Sequence, residues 1–223
     1  MTKVSSPTQL EDVTGATSTM QQTVARPVTV SGKGLLLGKN ADLVIAPAPA
    51  GAGIVFQRTD IEPNVQIPAI VANTTNRARR TTLSSGDVTI ETVEHLMSAL
   101  AGLGIDNAVI RLDGPEVPCG DGSAMPFVEQ ILQAGTVEQD LPRRIMKVHS
   151  PICLQDGEAM IAAFPTEQPG MQVVYDLDYG DASWRIAQQT QTWNSANRTY
   201  ATDVAPARTF SLQEEAQALH SQG

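Results

Sequence analysis

The chain has 223 residues, of which 41% are hydrophobic, so it is long enough for one large domain or two small ones with buried cores. Its 24 acidic residues outnumber 15 basic ones, giving a formal net charge of -9, and this balance argues against binding to a nucleic-acid backbone. The cysteines, Cys119 and Cys153, are too few for a disulfide framework and fit a reducing compartment.

The amino-terminal segment is polar and rich in Ser and Thr. Residues 1–22 lack the basic and apolar regions of a secretion signal and show no periodicity, so we expect a disordered leader. No apolar run in the sequence approaches the length of a membrane span. These features predict a cytoplasmic protein without a transmembrane segment.

Short β-favouring runs follow the leader and are separated by turns rich in Gly and Pro, at residues 24–30, 43–45, 54–56 and 88–90. The first strong helical pattern comes next, because apolar residues recur with the spacing of one helix face at Val93, Leu96, Met97, Leu100 and Leu103. We expect Thr92 to cap this helix and Gly104 to end it.

A strand at 105–112 and a second helix closing at Gly135 complete a first α+β unit, residues 23–142. The charged, proline-bearing stretch 138–144 is the best candidate for a linker. Strand-like runs at 145–148, 159–164 and 173–177 then begin a second unit, residues 143–223. A final helix is predicted from Ser211, which forms a capping-box pattern with Glu214.

The pair Glu94 and His95 is the first candidate for chemistry. Neither residue belongs to the apolar stripe of its predicted helix, and the positive helix end favours an ionised carboxylate beside a neutral imidazole. These charge states suit a general base beside a metal ligand, although a solvated helix start would give the same dipeptide. We expect no metal role for His149 and Cys153, because Pro151 between them argues against a helix, and we expect His220 to be exposed.

The tripeptide Arg208-Thr209-Phe210 precedes the predicted final helix. Backbone N–H groups at a helix start, together with a hydroxyl, can hold an oxyanion. An ordinary loop that leads into a helix would be compatible with the same three residues. The Walker and Gly-x-Ser-x-Gly patterns are absent from the sequence, so neither nucleotide hydrolysis nor a serine hydrolase is indicated.

The sequence from about residue 23 to its end resembles the zinc-dependent UDP-3-O-acyl-N-acetylglucosamine deacetylase family of lipid A biosynthesis. The longest match runs from Thr92-Val93-Glu94-His95-Leu96 through Gly104-Ile105-Asp106-Asn107. Shorter motifs support it, at Pro47-Ala48-Pro49-Ala50, Arg58-Thr59-Asp60, Pro115-Glu116-Val117-Pro118, Asp121-Gly122-Ser123-Ala124 and Ala207-Arg208-Thr209-Phe210.

The resemblance implies an α+β fold of two similar domains, each layering helices against β-sheets, with the active site between them. It implies hydrolysis of the substrate's N-acetyl group by zinc-activated water, which releases acetate and a free amine. By motif match, His95 corresponds to a zinc ligand, Glu94 to the general base and Thr209 to the hydroxyl that stabilises the oxyanion. Phe210 corresponds to a residue lining the passage for the acyl chain. We infer no obligate protein partner.

Two departures from the family pattern qualify these expectations. The family commonly has a His where this sequence has Leu36. Its other two zinc ligands, in a His-Lys-x-x-Asp helix, and its catalytic His belong to a part downstream of residue 223. We therefore expect a chain truncated at its C-terminus, with an incomplete second domain and no activity alone. The alternative is a non-catalytic relative, a binding or regulatory protein that lacks a complete metal site.

Overall fold

The computed structural model describes residues 20–168, 170–180, 186–197, 199–213 and 217, and it confirms the α+β class. The strands are β1 (Met20–Val24), β2 (Val28–Lys33), β3 (Asn40–Pro47), β4 (Ile54–Arg58), β5 (Val65–Pro68), β6 (Thr74–Thr75), β7 (Thr82–Ser85), β8 (Val88–Ile90), β9 (Ala108–Leu112), β10 (Thr136–Pro142), β11 (Ile152–Asp156), β12 (Ala159–Ala163), β13 (Gln172–Leu177) and β14 (Gln189–Asn194). The described helices are α1 (Glu94–Gly102) and α2 (Met125–Ala134), with a π-helical turn at Tyr200–Val204 and 3-10 turns at Val71–Asn73 and Ser195–Asn197.

The described chain divides into two compact units. The first, called here the core unit, contains residues 21–141 together with the described residues after 198. The second, called the hairpin unit, contains the described residues of 142–197 together with Met20. The described segment from 199 onward thus groups with the core unit, whereas the predicted second domain would include it. The two-domain organisation of the family, with bounds 23–142 and 143–223, stays a prediction.

The core unit is built on a sheet in the order β2-β3-β9-β4-β5. β9 pairs antiparallel with β3 and parallel with β4, so it lies in the middle of the sheet. Alternate side chains of the central strands are fully buried, as the period of a strand requires for a sheet with one covered face. They include Leu43, Ile45, Ile110 and Leu112.

The two helices supply the apolar layer that the sheet needs. α2 packs against β2 and α1. Leu96 and Leu100 of α1 and Phe127 and Ile131 of α2 are at most 1% exposed. Their spacing of four residues places each pair on one side of its helix, as the sequence periodicity predicts.

The sequence Ser84-Ser85-Gly86-Asp87 predicts a turn, and the structure confirms it between β7 and β8. Ser85 pairs with Val88, so Gly86 and Asp87 alone connect the strands. Gly86 has a φ of 57°, which a two-residue hairpin of this twist requires and which glycine adopts without steric cost.

The predicted leader extends to residue 22, whereas β1 already starts at Met20. The backbone of Gln22 explains the difference. Its carbonyl accepts hydrogen bonds from the Asp106 and Asn107 amides, and its N–H donates to the Asp106 carboxylate at 2.8 Å. A partner 84 residues away holds a segment whose own composition is polar. Residues 1–19 lie outside the described residues.

The predicted linker at 138–144 is largely a strand. β10 (Thr136–Pro142) pairs with β1 in a sheet of two strands. The side chain of Gln139 anchors it, since Nε2 donates to the Ala48 carbonyl and Oε1 accepts from Asn107 Nδ2. These partners are distant in sequence, so the local charge and proline gave no sign of them.

The hairpin unit has a different character. It contains two separate antiparallel pairs, β11 with β12 and β13 with β14. Most of its strand residues are exposed, including large apolar ones. The predicted strands at 159–164 and 173–177 correspond to β12 and β13, whereas residues 145–148 form no strand. Glu214 of the predicted capping box and His220 lie outside the described residues. No helix in the described part of the chain is long and apolar enough to span a membrane.

Candidate active site

The start of α1 presents Glu94 and His95, which are both half-buried. α1 does not begin as predicted, because Thr92 provides no side-chain cap and instead has a φ of 60°. Thr81 holds the start of the helix from outside. Its carbonyl accepts the Val93 N–H at 3.2 Å, and its own N–H donates to Glu94 Oε2 at 3.0 Å. The Glu94 carboxylate is thus oriented by the backbone that precedes β7.

His95 meets a residue 114 positions further along the chain. Its Nε2 atom lies 3.1 Å from Thr209 Oγ1, and either atom is able to donate, depending on the imidazole tautomer. The other ring nitrogen, Nδ1, is buried and has no hydrogen-bond partner among the described residues. Burying a polar atom without a hydrogen-bond partner costs free energy. The Nδ1 atom is therefore suited to bind a group that the described residues do not supply.

A turn at the start of α2 fixes the backbone of Thr209. The Thr209 N–H donates to the Gly122 carbonyl at 2.8 Å, and Arg208 Nε donates to the Asp121 carbonyl at 2.7 Å. Gly122 has a φ of 85°, which favours glycine at this position. Hydrogen bonds from the hydroxyl and amide of Ser123 hold the pKa of Asp121 below its usual range. The Asp-Gly-Ser turn therefore has a second role besides leading into α2.

The described residues from 199 onward, which carry Thr209, are called here the returning segment. Tyr200 attaches this segment to α1. Its hydroxyl lies 2.7 Å from Ser98 Oγ, and its ring lies where any side chain at Gly102 would have to go. Burial raises the pKa of Tyr200, and the hydrogen bond with Ser98 opposes that rise. Contacts at Tyr200 and at the Asp-Gly-Ser turn thus tie the segment that carries Thr209 to α1 and α2.

The structure places the remaining predicted residues less centrally. Phe210 follows Thr209 with 55% of its surface exposed, and Leu36 is also exposed in the turn after β2. His149 and Cys153 are exposed residues of the hairpin unit. No group of three His, Cys, Asp or Glu residues in the described chain could hold a metal ion. Of the candidate residues, the structure brings His95 and Thr209 into contact, with Glu94 adjacent.

An ion pair next to the site was not predicted as such. Arg80 belongs to a basic cluster in the sequence with Arg77 and Arg79, and its Nε atom lies 2.6 Å from Glu91 Oε2. The Thr82 hydroxyl donates to the same carboxylate oxygen. Burial raises the pKa of Glu91, but the hydrogen bonds from Thr82 and Arg80 together hold it below its usual range. Arg80 lies just before β7 and Glu91 just after β8, so the two strands of this hairpin bring the opposite charges together.

A second motif of the resemblance, Arg58-Thr59-Asp60, links two strands inside the core unit. Arg58 donates from Nε and Nη2 to the two carboxylate oxygens of Asp60, both at 2.7 Å, and from Nη1 to the Thr89 carbonyl. The hydrogen bond from Arg58 holds the pKa of Asp60 below its usual range. The described contacts of this motif join β4 to β8 and do not involve Glu94 or His95.

Comparison with known proteins adds independent evidence. A family model described as UDP-3-O-acyl N-acetylglycosamine deacetylase matches residues 21–223. Curated UDP-3-O-acyl-N-acetylglucosamine deacetylases from Cellvibrio japonicus and Saccharophagus degradans are each 40% identical over 203 residues. The enzyme of that name from Acidithiobacillus ferrooxidans is also 40% identical over 203 residues. These matches cover 91% of this chain and 66% of each relative.

The matched region includes the start of α1, the Asp-Gly-Ser turn and the segment that returns to them. Because the family model covers most of the chain, the likeness does not rest on one motif. The chain therefore belongs to the UDP-3-O-acyl-N-acetylglucosamine deacetylase family.

Proposed function

We propose that the protein to which this chain belongs hydrolyses the N-acetyl group of UDP-3-O-acyl-N-acetylglucosamine. The products are acetate and the free amine, and the step serves lipid A biosynthesis in the cytoplasm. Family membership supports this proposal, as do relatives that carry the name of this enzyme. Those relatives do not favour the non-catalytic alternative. The structural observation that carries the proposal is the 3.1 Å contact between His95 Nε2 and Thr209 Oγ1 beside Glu94.

The residues present fit one corner of a zinc site. The orphaned and buried Nδ1 of His95 is a nitrogen of the type that zinc binds. A zinc site needs about three protein ligands, and the described residues contain no such group. His95 would thus supply one ligand and other parts of the protein the rest. Zinc, when bound, supplies a Lewis acid that polarises the carbonyl and activates water.

The chain's own residues have distinct roles in this proposal. Glu94 accepts a proton from the attacking water, and the Thr81 N–H holds its Oε2 atom in place while it does so. Thr209 donates its hydroxyl to the oxyanion that forms on the acetyl carbon. The 3.1 Å separation between this hydroxyl and His95 Nε2 supports that role. Phe210, exposed beside it, would contact the acyl chain.

The decisive experiment uses a protein that joins this chain to the part its relatives have in addition. Glu94→Gln should lower turnover by several powers of ten, on the order of 10²–10⁴, with zinc still bound, because the substitution removes the base alone. His95→Ala should lose zinc itself, because it removes a ligand. Zinc content by metal analysis and acetate release by a coupled assay separate the two effects.

Thr209 has a matched pair of variants. Thr209→Val keeps the shape and removes the hydroxyl, so turnover should fall by roughly 10²-fold, whereas Thr209→Ser should stay within a few-fold of the parent. Equal turnover of the Val and Ser variants would contradict the role of the hydroxyl. Full turnover in Glu94→Gln would remove the assignment of the base.

For the 223-residue chain itself, we expect well under one tightly held zinc per molecule, because a single imidazole retains the ion weakly. Metal analysis after dialysis measures this, and stoichiometric zinc would contradict it. Translating the DNA beyond codon 223 in all three frames would show whether the family's His-Lys-x-x-Asp motif and later His follow. Their absence there would favour the non-catalytic alternative.

A further inference from the structure

Glu116 carries a buried carboxylate that the proposed chemistry does not use. The residue is 3% exposed. Its Oε1 atom accepts the Leu36 N–H at 2.8 Å, and its Oε2 atom accepts the Leu37 N–H at 2.8 Å. The Thr92 hydroxyl donates to Oε1 at 3.2 Å. Three donors from two distant segments thus satisfy one buried charged group, which is the condition for burying such a group at acceptable cost.

The first of these segments is the leucine turn, residues 34–38, which follows β2. Consecutive N–H groups of Leu36 and Leu37 converge on the carboxylate, as backbone donors do around a bound anion. A Cβ at Gly34 would collide with the Glu116 carboxylate, so the turn is built closely around it. Because its three leucine side chains are exposed, the described turn is held by its backbone and by Glu116.

The second segment leads directly into α1. Thr92 is β-branched, and its φ of 60° is unfavourable for such a residue, so its surroundings must hold it. Two tethers reach this point from residues 115–117. The Glu91 N–H donates to the Pro115 carbonyl at 2.8 Å, and the Val117 N–H donates to the Glu91 carbonyl at 3.2 Å. The Glu116 side chain then takes the Thr92 hydroxyl.

We propose that Glu116 is a positioning residue of the active site. Its carboxylate binds Thr92 and so fixes the backbone from which Glu94 and His95 project. The same carboxylate binds the Leu36 and Leu37 amides and so fixes the position of the leucine turn relative to that backbone. The inference rests on the proposed function for its catalytic consequence. Glu116 itself contacts neither the catalytic pair nor the substrate in this role.

Three variants separate the contact of Glu116 with Thr92 from its contacts with the leucine turn. Glu116→Gln keeps the size but removes the charge, and its amide nitrogen cannot accept an N–H. Thr92→Val removes the hydroxyl and leaves the bonds to the leucine turn intact. Thr92→Ser keeps the hydroxyl and serves as the matched control.

The first measurement uses the 223-residue chain and needs neither zinc nor activity. By NMR, amide exchange at Leu36 and Leu37 should accelerate about tenfold in Glu116→Gln and should not change in Thr92→Val. The amide resonances of Glu94 and His95 should shift in both variants and keep their parent positions in Thr92→Ser. If those two resonances stay unchanged in Glu116→Gln and Thr92→Val, Glu116 braces the turn alone and the proposal fails.

The second measurement uses the extended protein. Glu116→Gln and Thr92→Val should each lower kcat about tenfold or more, with KM within about threefold, because a shifted catalytic pair affects the transition state. The double variant should be no worse than the worse single one, since both changes break the same link. Fully additive losses, or unchanged kcat per folded molecule, would overturn the proposal.

The two proposals fail in different ways. A parent protein that does not deacetylate the sugar nucleotide would refute the proposed function, while the NMR measurement on the 223-residue chain would still decide the role of Glu116. If Glu116→Gln does not fold, Thr92→Val decides it alone, because that variant cuts only the bond to Thr92.

Discussion

The core unit and the hairpin unit contain strands of similar apolar character but bury them to very different extents. In the core unit, the inward side chains of β3 and β9 are fully buried, and α2 packs against the neighbouring strand β2 and against α1. In the hairpin unit, β12 reads Ala-Met-Ile-Ala-Ala and β13 reads Gln-Val-Val-Tyr-Asp-Leu, yet most of these residues are exposed. The difference shows that apolar sequence favours a strand, whereas burial needs a second layer.

Hydrogen exchange should show the largest contrast. Strands of the core unit exchange only when the unit opens, whereas two-stranded hairpins with exposed faces open locally at little cost. We expect the inner amides of β3 and β9 to exchange on the order of 10³-fold more slowly than those of β11 to β14. Mass spectrometry of exchanged peptides measures this. Comparable protection in both units would break the comparison.

A matched pair of phenylalanines measures the contrast as energy. Phe127 in α2 is 0% exposed and Phe164 after β12 is 65% exposed. Phe127→Ala should lower the free energy of unfolding by about 3–5 kcal/mol, because it removes buried surface and leaves a cavity. Phe164→Ala should change it by less than about 0.5 kcal/mol. Urea unfolding of the two variants tests this, and similar losses would show that Phe164 has a packing partner.

A matched pair of glutamates adds the dependence on pH. Glu91→Gln should lower the free energy of unfolding by about 1–3 kcal/mol at neutral pH, because Arg80 and Thr82 lose a charged partner. Glu158 is exposed, so Glu158→Gln should leave the free energy of unfolding almost unchanged. The pKa of Glu91 in the folded state lies below its ordinary value of 4.5. The stabilisation is therefore complete above about pH 4.5 and is lost as the pH falls through the lower folded value.

The corresponding measurement is the difference in unfolding free energy between the parent chain and Glu91→Gln from pH 7 to pH 3. We expect this difference to shrink on the acid side. A difference that grows toward acid pH would mean that Glu91 is not held ionised by its partners.

A pair of tyrosines should give the smallest effect. Tyr200→Phe removes the hydrogen bond to Ser98, which should cost about 0.5–1.5 kcal/mol, while Tyr175→Phe on exposed β13 should be neutral. Because Tyr200 lies in the segment that carries Thr209, its variant should also weaken protection of the Thr209 amide. Thermal unfolding and amide exchange test the two parts, and an effect on stability without one at Thr209 would separate Tyr200 from the site.

Periodic apolar patterns and turn residues were sufficient to predict several elements of the core unit. The stripe from Val93 to Leu103 predicts α1, and Gly86-Asp87 predicts the β7–β8 turn, because these signals are local. The start of β1 and the strand at Thr136–Pro142 could not be predicted, since both are held by partners far along the chain. Thr92 was predicted as a cap, but its hydroxyl binds Glu116 instead.

The sequence by itself determined the α+β class, the helix that presents Glu94 and His95, and the family to which the chain belongs. Side-chain identities and short-range periodicity carry that information. Only the tertiary structure brought Thr209 into contact with His95, 114 residues away. It also placed the Glu116 carboxylate where it accepts hydrogen bonds from the leucine turn and from Thr92. Such contacts depend on how the Asp-Gly-Ser turn, the returning segment and the residues before α1 pack in three dimensions, which no local pattern encodes.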